Sequence, residues 1–272
     1  MAEAISNIAI MTKASNIEAE EAAGRITRLV ARRKVKVYAV NPLIIEDSRP
    51  VHAEDLRKLD LDIVFAIGGD GTTLRAFRYI PRETPLLSVN VGGNRGILSE
   101  TGIDSLDESI NAILLGQYFH ERRIRIQASV GKITFPAALN DIMVTRVNLT
   151  RTPLLSIKLM GDVIEHRMDG IIISTPTGST GHSFSIGGPV LYERLESLLL
   201  SPIAPLNKMP QLVLPADEIE IKSTHDFSLV VDGQEIFRIT AGEPLKIFRY
   251  PYDAQFIRIR KRGMRQIVKL GF

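Results

Sequence analysis

The sequence predicts an α/β N-terminal domain with a parallel sheet, followed by a β-rich, sandwich-like C-terminal domain. Apolar strand-like runs alternate with helix-like segments over residues 1–118, a pattern typical of a parallel sheet covered by helices. Short strand-like runs separated by turns then follow one another over residues 119–250, which indicates a β-rich domain. The final segment, 251–272, either closes the second domain or packs back onto the first.

In the first domain, four apolar runs are the predicted strands: "NIAIM", "VKVYAV", "DIVFAI" and "PLLSVN". Ser15 followed by Glu18 has the spacing of a capping box, which predicts that the first helix begins there. This helix is expected to bury one face, made of Ile17, Ile26, Leu29 and Val30. In the second domain, helical patterning is confined to "GHSFSIGG" and "YERLESLLL".

The composition narrows the classes of function. Hydrophobic residues make up 44% of the 272 residues and charged residues 24%, as in an ordinary folded protein. The absence of cysteine excludes disulfides and thiolate metal sites, and the histidines lack metal-ligand spacing, so no metal is assigned to the protein itself. No apolar run reaches the roughly 18 residues of a membrane span, and the N-terminus does not resemble a signal peptide. We therefore expect a cytoplasmic protein without a membrane partner, and the small net charge of +3 does not favour nucleic acid.

A glycine-rich loop with a single carboxylate, "GGDGT", follows the third predicted strand. Ligands of parallel sheets bind beyond the carboxyl ends of the strands, and glycine N–H groups at the start of a helix favour phosphate. Gly68, Gly69, Gly71 and Thr72 are therefore the predicted phosphate loop. The chain contains neither G-x-x-x-x-G-K-[ST] nor G-x-G-x-x-G, so the loop is not one of the standard nucleotide fingerprints.

Asp70 lies inside this loop and would repel a phosphate unless it has another task. It could accept the proton of an attacking hydroxyl, help to hold Mg²⁺, or simply cap the helix that follows. Arg75, one helical turn further on, could reach a phosphate or face solvent. The loop alone leaves these alternatives open.

Several motifs together resemble the NAD kinase family. "GGDGT" after an apolar strand is shared by a superfamily that includes NAD kinases, diacylglycerol and sphingosine kinases and, in a variant form, phosphofructokinases. "NVGGNRGIL", "LNDIMVTR", "DGIIISTPTGSTGHSFSIGGPV" and "VVDGQ" then occur in the order typical of NAD kinases. The resemblance implies transfer of a phosphate from ATP or polyphosphate to the 2′-hydroxyl of the adenosine ribose of NAD, which gives NADP.

The resemblance also implies roles for individual residues. Asp70 would be the general base, and Mg²⁺ or another divalent cation would accompany ATP. The residues that would bind NAD are Asp70, Gly71, Arg75, Asn140, Asp141, Arg151, Arg167, Asp169, Thr177, Thr180, Gly181, His182, Ser183, Ser185 and Gln234. His182 departs from the family pattern, since many relatives have tyrosine there.

Relatives form dimers or tetramers with NAD sites completed across subunits, so the resemblance implies a homodimer or homotetramer, with Asp169 a candidate for a contact from a neighbouring subunit.

Two alternatives to an NAD kinase remain open at this point. A lipid kinase of the same superfamily would share "GGDGT", but it would not explain the Asn140–Asp141 pair or the "TGST" segment. A non-catalytic NAD-binding regulator would be expected to have lost Asp70, which is present. ATP and polyphosphate are both candidate donors, and NAD and NADH are both candidate acceptors.

Overall fold

The computed structural model describes residues 5–31, 33–80, 82–92 and 96–266, and these form two compact units. One unit comprises the described residues up to Arg122 together with those from Asp253 onward, and the other is Arg123–Tyr252. The first contains a mostly parallel sheet with helices and the second a curled antiparallel sheet, which confirms the predicted fold class. Within the described residues, no helix has the length and apolar character needed to span a membrane.

The bounds of the regular elements are as follows. The helices are α1 (Ile17–Ala31), α2 (Asp70–Tyr79), α3 (Leu106–Leu114) and α4 (His182–Ser185). The strands up to the end of the first segment are β1 (Asn7–Thr12), β2 (Lys36–Val40), β3 (Arg49–Val51), β4 (Ile63–Gly68), β5 (Leu86–Asn90), β6 (Thr101–Gly102) and β7 (Phe119–Arg123). The later strands are β8 (Ile126–Val130), β9 (Ile133–Thr134), β10 (Asp141–Arg146), β11 (Leu154–Leu159), β12 (Asp162–Ser174), β13 (Ser197–Pro205), β14 (Leu212–Pro215), β15 (Ile219–Ser223), β16 (Phe227–Val231), β17 (Glu235–Ile239), β18 (Leu245–Arg249) and β19 (Ala254–Arg258).

The sheet of the first unit places two glycine-rich segments at one edge. Its strand order over the described residues is β3-β2-β1-β4-β5-β19-β7, with β6 also paired to β5. Every residue of β4 is buried, as expected for a central strand covered on both faces. Strand β4 runs parallel to β5, and Gly68 lies opposite Asn90. The segments that follow these two strands therefore leave the sheet side by side.

The C-terminal segment adds a strand to this first sheet. Phe256 of β19 pairs with Leu86 of β5 in parallel, and all five residues of β19 are buried. The buried guanidinium of Arg258 donates to Glu121 at 2.9 Å and forms an ion pair with Glu100 at 3.6 Å. A buried charge without a partner would be strongly destabilising, and the two carboxylate partners of Arg258 remove that penalty at the covered end of β19.

The sheet of the second unit brings three segments to one end. Its order over the described residues is β17-β16-β10-β12-β11-β15-β18-β8-β9, with β13 on β12 and β14 on β13. The first half of β12 pairs with β11 and the second half with β10 and β13. Asp141 lies opposite Ser174, and Ile142 lies opposite Val231. The start of β10 therefore lies between the ends of β12 and β16.

The predicted N-terminal cap of the first helix was wrong by one residue, because Asn16 and not Ser15 caps it. Ser15 has a left-handed φ of 54°, and the side chain of Asn16 instead accepts the N–H of Ala19 at 2.8 Å. Ile17, predicted on the buried face, is 73% exposed because it is the first residue of the helix. Ile26 and Val30 are buried as expected, together with three alanines of α1, which are Ala19, Ala22 and Ala23.

The helix predicted over "YERLESLLL" was also wrong. Ser197 begins strand β13, in which Leu198, Leu199 and Leu200 are fully buried. All three leucines pair with β14, and Leu199 and Leu200 also pair with β12 on the other side. A short apolar run that is buried on both faces has no period of its own, so its neighbours in the sheet decide its conformation.

Candidate active site

The glycine-acid loop of the first unit forms the turn between β4 and α2. Gly69 is the residue before the helix, and its carbonyl oxygen accepts the N–H groups of Thr72 at 3.0 Å and Thr73 at 3.3 Å. The hydroxyl of Thr73 contacts that of Ser88 in β5 at 2.6 Å within the core. This contact fixes the first turn of the helix to the sheet, so the loop has a rigid support.

Asp70 does not cap the helix. It is the first residue of α2, and its carboxylate accepts two backbone N–H groups from a distant segment. Oδ2 accepts from Ile97 and Oδ1 from Leu98, both at 3.1 Å. A carboxylate that served as a helix cap would accept from the first turn of its own helix. The capping alternative is therefore wrong, and two backbone N–H groups hold the side chain in a defined orientation.

Gly96 allows this orientation by its lack of a side chain. A β-carbon built on Gly96 would lie 2.2 Å from Oδ1 of Asp70, far inside van der Waals contact. Gly96 and the N–H groups of Ile97 and Leu98 therefore lie around the carboxylate of Asp70. Part of that predicted motif, residues 93–95 in "NVGGNRG", lies outside the described residues.

The other predicted residues of this loop surround the start of α2. Gly71 is exposed, Thr72 and Arg75 are half-buried, and Gly68 is the buried last residue of β4. A helix of ten residues presents the positive end of its dipole at this point, which favours a phosphate group. Contacts of these residues with phosphate remain predictions.

In the second unit, the Asn140–Asp141 pair and the "TGST" segment pack directly on each other. The backbone N–H of Thr175 donates to the carbonyl of Asn140 at 2.8 Å, and its hydroxyl donates to the carbonyl of Leu139 at 2.5 Å. A β-carbon on Gly178 would lie 2.1 Å from the carbonyl oxygen of Asn140, so only glycine fits there. The motif is therefore closely packed around the Asn140–Asp141 backbone.

The predicted residues of the "TGST" segment divide into buried and exposed ones. Thr177, Thr180 and Ser183 are buried, and the Ser183 hydroxyl contacts that of Ser174 at 2.7 Å. His182 and Ser185, on the short helix α4, are exposed. The buried hydroxyls pack within the segment, whereas the side chains of His182 and Ser185 are exposed to solvent.

Asp141 is a buried carboxyl group close to a second one. Burial raises the pKa of Asp141 to about 7, and the negative charge of Asp232 adds to this increase. Asp141 is 7% exposed and Asp232 is 8% exposed. A neutral carboxyl donates as well as accepts hydrogen bonds, so Asp141 can present either form near neutral pH.

Asp232 was missed by the sequence analysis. Its carboxylate accepts the N–H groups of Leu139 at 3.1 Å, Asn140 at 2.7 Å and Asp141 at 3.2 Å. In the sequence it stands in "DGQ", which reads as an ordinary hairpin turn between two strands. The available signal for a role of Asp232 was its position two residues before the predicted Gln234.

Two other predicted residues of the second unit, Arg167 and Asp169, lie on β12 at a distance from Asp141. Asp169 is five positions along β12 from Ser174, the partner of Asp141, which is roughly 16 Å at the rise of a strand. Asp169 forms an ion pair with Arg146 at 2.9 Å, and Arg167 donates to the carbonyl of Thr152 at 3.1 Å.

Arg151 is exposed. Gln234, also exposed, follows Asp232 in the β16–β17 turn.

Within the part of the chain that the structure describes, the donor side chains do not form a metal cage. Over residues 5–31, 33–80, 82–92 and 96–266, no group of three or more His, Asp or Glu side chains is placed to hold a metal ion. Mg²⁺ in nucleotide sites is commonly held by substrate phosphates with one or two carboxylates, which requires no such cage.

Comparison with known proteins identifies the family. The model of the ATP-NAD kinase N-terminal domain matches residues 8–118, and that of the C-terminal domain matches residues 139–259. An NAD kinase of Thermococcus sibiricus is 37% identical over 76% of this chain and 76% of the relative. One from Methanothermobacter thermautotrophicus is 32% identical over 96% of this chain and 94% of the relative.

Two solved structures share the fold. An NAD kinase from Archaeoglobus fulgidus, solved in complex with ATP, has a TM-score of 0.78 and 26% identity, and the match covers 97% of each chain. A yeast NADH kinase, solved with NADH, has a TM-score of 0.86 and 21% identity, covering 100% of this chain and 89% of the other. Both family models cover ATP-NAD kinases, so the lipid-kinase alternative has no support. From these matches, the chain belongs to the NAD kinase family and is a phosphotransferase.

Proposed function

We propose that this enzyme phosphorylates the 2′-hydroxyl of the adenosine ribose of NAD with ATP, which gives NADP and ADP. The observation that carries the proposal is the carboxylate of Asp70. It stands at the start of α2, does not cap the helix, and is oriented by the N–H groups of Ile97 and Leu98. A side chain held so firmly at a phosphate-favouring helix terminus is suited to a chemical role.

In the proposed reaction, Asp70 accepts the proton of the ribose 2′-hydroxyl as its oxygen attacks the terminal phosphorus of ATP. The new oxygen–phosphorus bond forms while the bond to the leaving ADP breaks, and ADP carries away the negative charge. Positioning and charge neutralisation dominate such transfers. Gly68, Gly69, Gly71 and Thr72 are the proposed phosphate loop, and Arg75 supplies a positive charge one turn into the helix.

ATP is the proposed donor because both family models are named for ATP and the Archaeoglobus relative was solved with ATP. Mg²⁺ would be bound by the phosphates of ATP, where it would neutralise their negative charge. Asp70 is the candidate side chain for a protein contact with it. Polyphosphate is the alternative donor, and its use is tested below.

The NAD-binding role is assigned to residues of the second unit. Asn140 and Asp141 offer amide and carboxyl groups, which can hydrogen-bond a ribose or a base. His182 and Ser185 are exposed on α4, which follows the segment that packs on the Asn140 backbone. The remaining residues proposed to bind NAD are Thr177, Thr180, Gly181, Ser183 and Gln234.

Arg151, Arg167 and Asp169 are proposed to serve the NAD site of a neighbouring subunit in a homodimer or homotetramer. The support is the distance of Asp169 from Asp141 along β12 in a single chain, and Arg167 lies on the same strand two positions from Asp169. Arg151 lies outside β12, and its assignment rests on the family resemblance alone. Mixing Asp70→Asn with Asp169→Asn protein under subunit exchange tests this. Hybrid oligomers should contain sites with both native residues and regain activity, whereas a mixture no more active than its parts, or a monomer by light scattering, contradicts it.

The direct test is an assay for NADP with purified protein, NAD, ATP and Mg²⁺. Parallel reactions replace ATP by polyphosphate and NAD by NADH, and calorimetry measures NAD binding to the same preparation. NADP formation that depends on the donor is the expected result. Proven NAD binding without NADP from either donor contradicts the proposal and favours a non-catalytic NAD-binding protein.

A further inference from the structure

Asp232 has a backbone conformation that suits its position in a tight turn. Its φ is 50° and that of Gly233 is 65°, and the N–H of Gln234 donates to the carbonyl of Val231 at 3.0 Å. Aspartate, asparagine and glycine tolerate left-handed φ better than other residues. The turn alone would therefore accept asparagine or glycine, and the choice of aspartate needs a reason in its side chain.

That side chain connects the turn to the start of β10, and all three residues that it contacts lie more than ninety positions earlier in the chain. Oδ1 accepts the N–H groups of Asn140, 92 positions away, and of Asp141, 91 positions away. Oδ2 accepts that of Leu139, 93 positions away. The backbone N–H of Asp232 returns a bond to the carbonyl of Asp141 at 2.9 Å. Four hydrogen bonds thus join Asp232 to the three consecutive residues Leu139, Asn140 and Asp141.

The Asn140–Asp141 backbone is therefore held from two sides. Asp232 accepts its N–H groups, and Thr175 donates to the carbonyls of Leu139 and Asn140. Buried N–H groups that lose their acceptor destabilise a segment, so this turn has one preferred shape. The directions of the Asn140 and Asp141 side chains follow from that shape.

We propose that Asp232 is a positioning residue for NAD binding, because its carboxylate fixes the Asn140–Asp141 backbone and so directs those two side chains toward the dinucleotide. This inference rests on the NAD-binding role proposed above for Asn140 and Asp141. Asp232 acts through them and is not a catalytic residue.

The charge of Asp232 has a second consequence for the same pair. Burial is the main cause of the raised pKa of Asp141, and the negative charge of Asp232 raises this pKa further. The flanking strands present uncharged residues at this level, Ser174 on β12 opposite Asp141 and Val231 on β16 opposite Ile142. Removing the charge of Asp232 should therefore lower the pKa of Asp141.

Two substitutions separate the side chain from the turn. Asp232→Asn keeps the shape and one acceptor oxygen but removes the charge, and Asp232→Gly suits the left-handed φ but removes the whole bridge. NAD affinity is measured by calorimetry between pH 5.5 and 8.5, alongside kcat and KM. We expect Asp232→Gly to weaken NAD binding by roughly tenfold or more while kcat at saturating NAD stays within about threefold.

Asp232→Asn should lie between the wild type and Asp232→Gly in affinity, and it should shift the pH midpoint of NAD affinity downward. Asp226→Asn is the matched control, because Asp226 also accepts a backbone N–H, from Ala241 at 3.0 Å, at the opposite end of β16. This control should leave NAD affinity and its pH midpoint unchanged.

The proposal is overturned if the Asp232 variants lower the melting temperature but keep wild-type NAD affinity and pH midpoint, or if Asp226→Asn has the same effects as Asp232→Asn. If Asp232→Gly fails to fold, the NAD affinity of Asp232→Asn and the pH midpoint of that affinity decide whether the proposal holds. Wild-type protein that binds NAD without making NADP contradicts the proposed reaction only, and the calorimetric comparison still decides the role of Asp232.

Discussion

Asp70 in the first unit and Asp141 in the second both stand beside glycine-rich segments, but the structure holds them in opposite ways. For Asp70 the carboxylate itself is held, by the N–H groups of Ile97 and Leu98, and the residue is half-buried. For Asp141 the backbone is held, by Asp232, and the carboxyl group is buried with a pKa of about 7. This difference fits the roles proposed above, in which Asp70 accepts a proton and Asp141 binds NAD.

The difference arises from what surrounds each carboxyl group. Asp70 receives N–H donors from residues 27 and 28 positions later, and Gly96 leaves the space for them. Asp141 is buried close to a second carboxylate, and burial without a compensating charge favours the neutral form. An oriented and accessible carboxylate suits catalysis, whereas a buried neutral carboxyl suits recognition of hydroxyl groups.

Among the tests of this comparison, Asp70→Asn has the largest expected effect. The amide cannot accept the ribose proton, so turnover should fall by roughly 10²-fold or more while NAD affinity stays within a few fold. Steady-state kinetics with ATP and calorimetry with NAD measure the two quantities. Near-wild-type turnover would show that Asp70 has no role in proton transfer.

Gly96→Ala tests whether the orientation of Asp70 matters, because it removes no side chain that is proposed to take part in the reaction. The new β-carbon would overlap Oδ1 of Asp70, at 2.2 Å, and displace the carboxylate. We expect kcat to fall by roughly 10- to 100-fold, the scale of a misplaced reacting group. Gly102→Ala is the control, because nothing lies within 4 Å of its β-carbon position, and it should keep wild-type kcat. Equal kcat in both variants would contradict the orientation argument.

Asp141→Asn tests the other half of the comparison through stability. The folded pKa of Asp141, about 7, lies above the usual value of 3.8, so folding favours the protonated form. Its contribution to stability is therefore fully present below about pH 4 and is lost as the pH rises to about 7. Relative to the wild type, the variant should gain on the order of 2–4 kcal/mol in free energy of unfolding between pH 4 and pH 8.

Denaturant unfolding at several pH values measures this gain. Asp162→Asn changes an exposed residue at the start of β12 and serves as the control, with no comparable trend expected. A constant difference between Asp141→Asn and the wild type across this pH range would show that Asp141 is not buried in the neutral form.

Substitution of His182 has the smallest expected effect on NAD binding. It is exposed on α4, and an aromatic ring there can stack on a base. His182→Ala should weaken NAD binding by about 0.5–1.5 kcal/mol, and His182→Tyr should restore or exceed wild-type affinity. His52→Ala, at an exposed position of the first unit, is the control in the same calorimetric titration. Equal affinity of all variants would remove His182 from the proposed site.

Sequence patterns predicted those parts of the fold that depend on local signals. The buried run of β4, the glycine loop after it and the Asn140–Asp141 pair are each visible over a few residues. The capping choice between Ser15 and Asn16 was not, because both residue types cap helices and stand side by side. Leu198–Leu200 were assigned to a helix because an apolar run buried on both faces has no distinguishing period.

The contacts that define the candidate site were mostly beyond sequence reasoning, because they join distant segments. The carboxylate of Asp232 meets residues more than ninety positions away in its bonds to Asn140 and Leu139, and nothing in "DGQ" indicates this. The need for glycine at position 96 also depends on where Asp70 lies in space. Such contacts follow from strand order and register, which local patterns do not determine.

The central claim is that Asp70 serves the chemical step and Asp141 serves NAD binding. The most direct measurement is the pair of values kcat and NAD dissociation constant for Asp70→Asn and Asp141→Asn in one experiment. The account predicts a large loss of kcat with little change in affinity for Asp70→Asn, and roughly tenfold weaker NAD binding with a smaller change in kcat for Asp141→Asn. Loss of affinity in Asp70→Asn with unchanged kcat, or the same pattern in both variants, would contradict it.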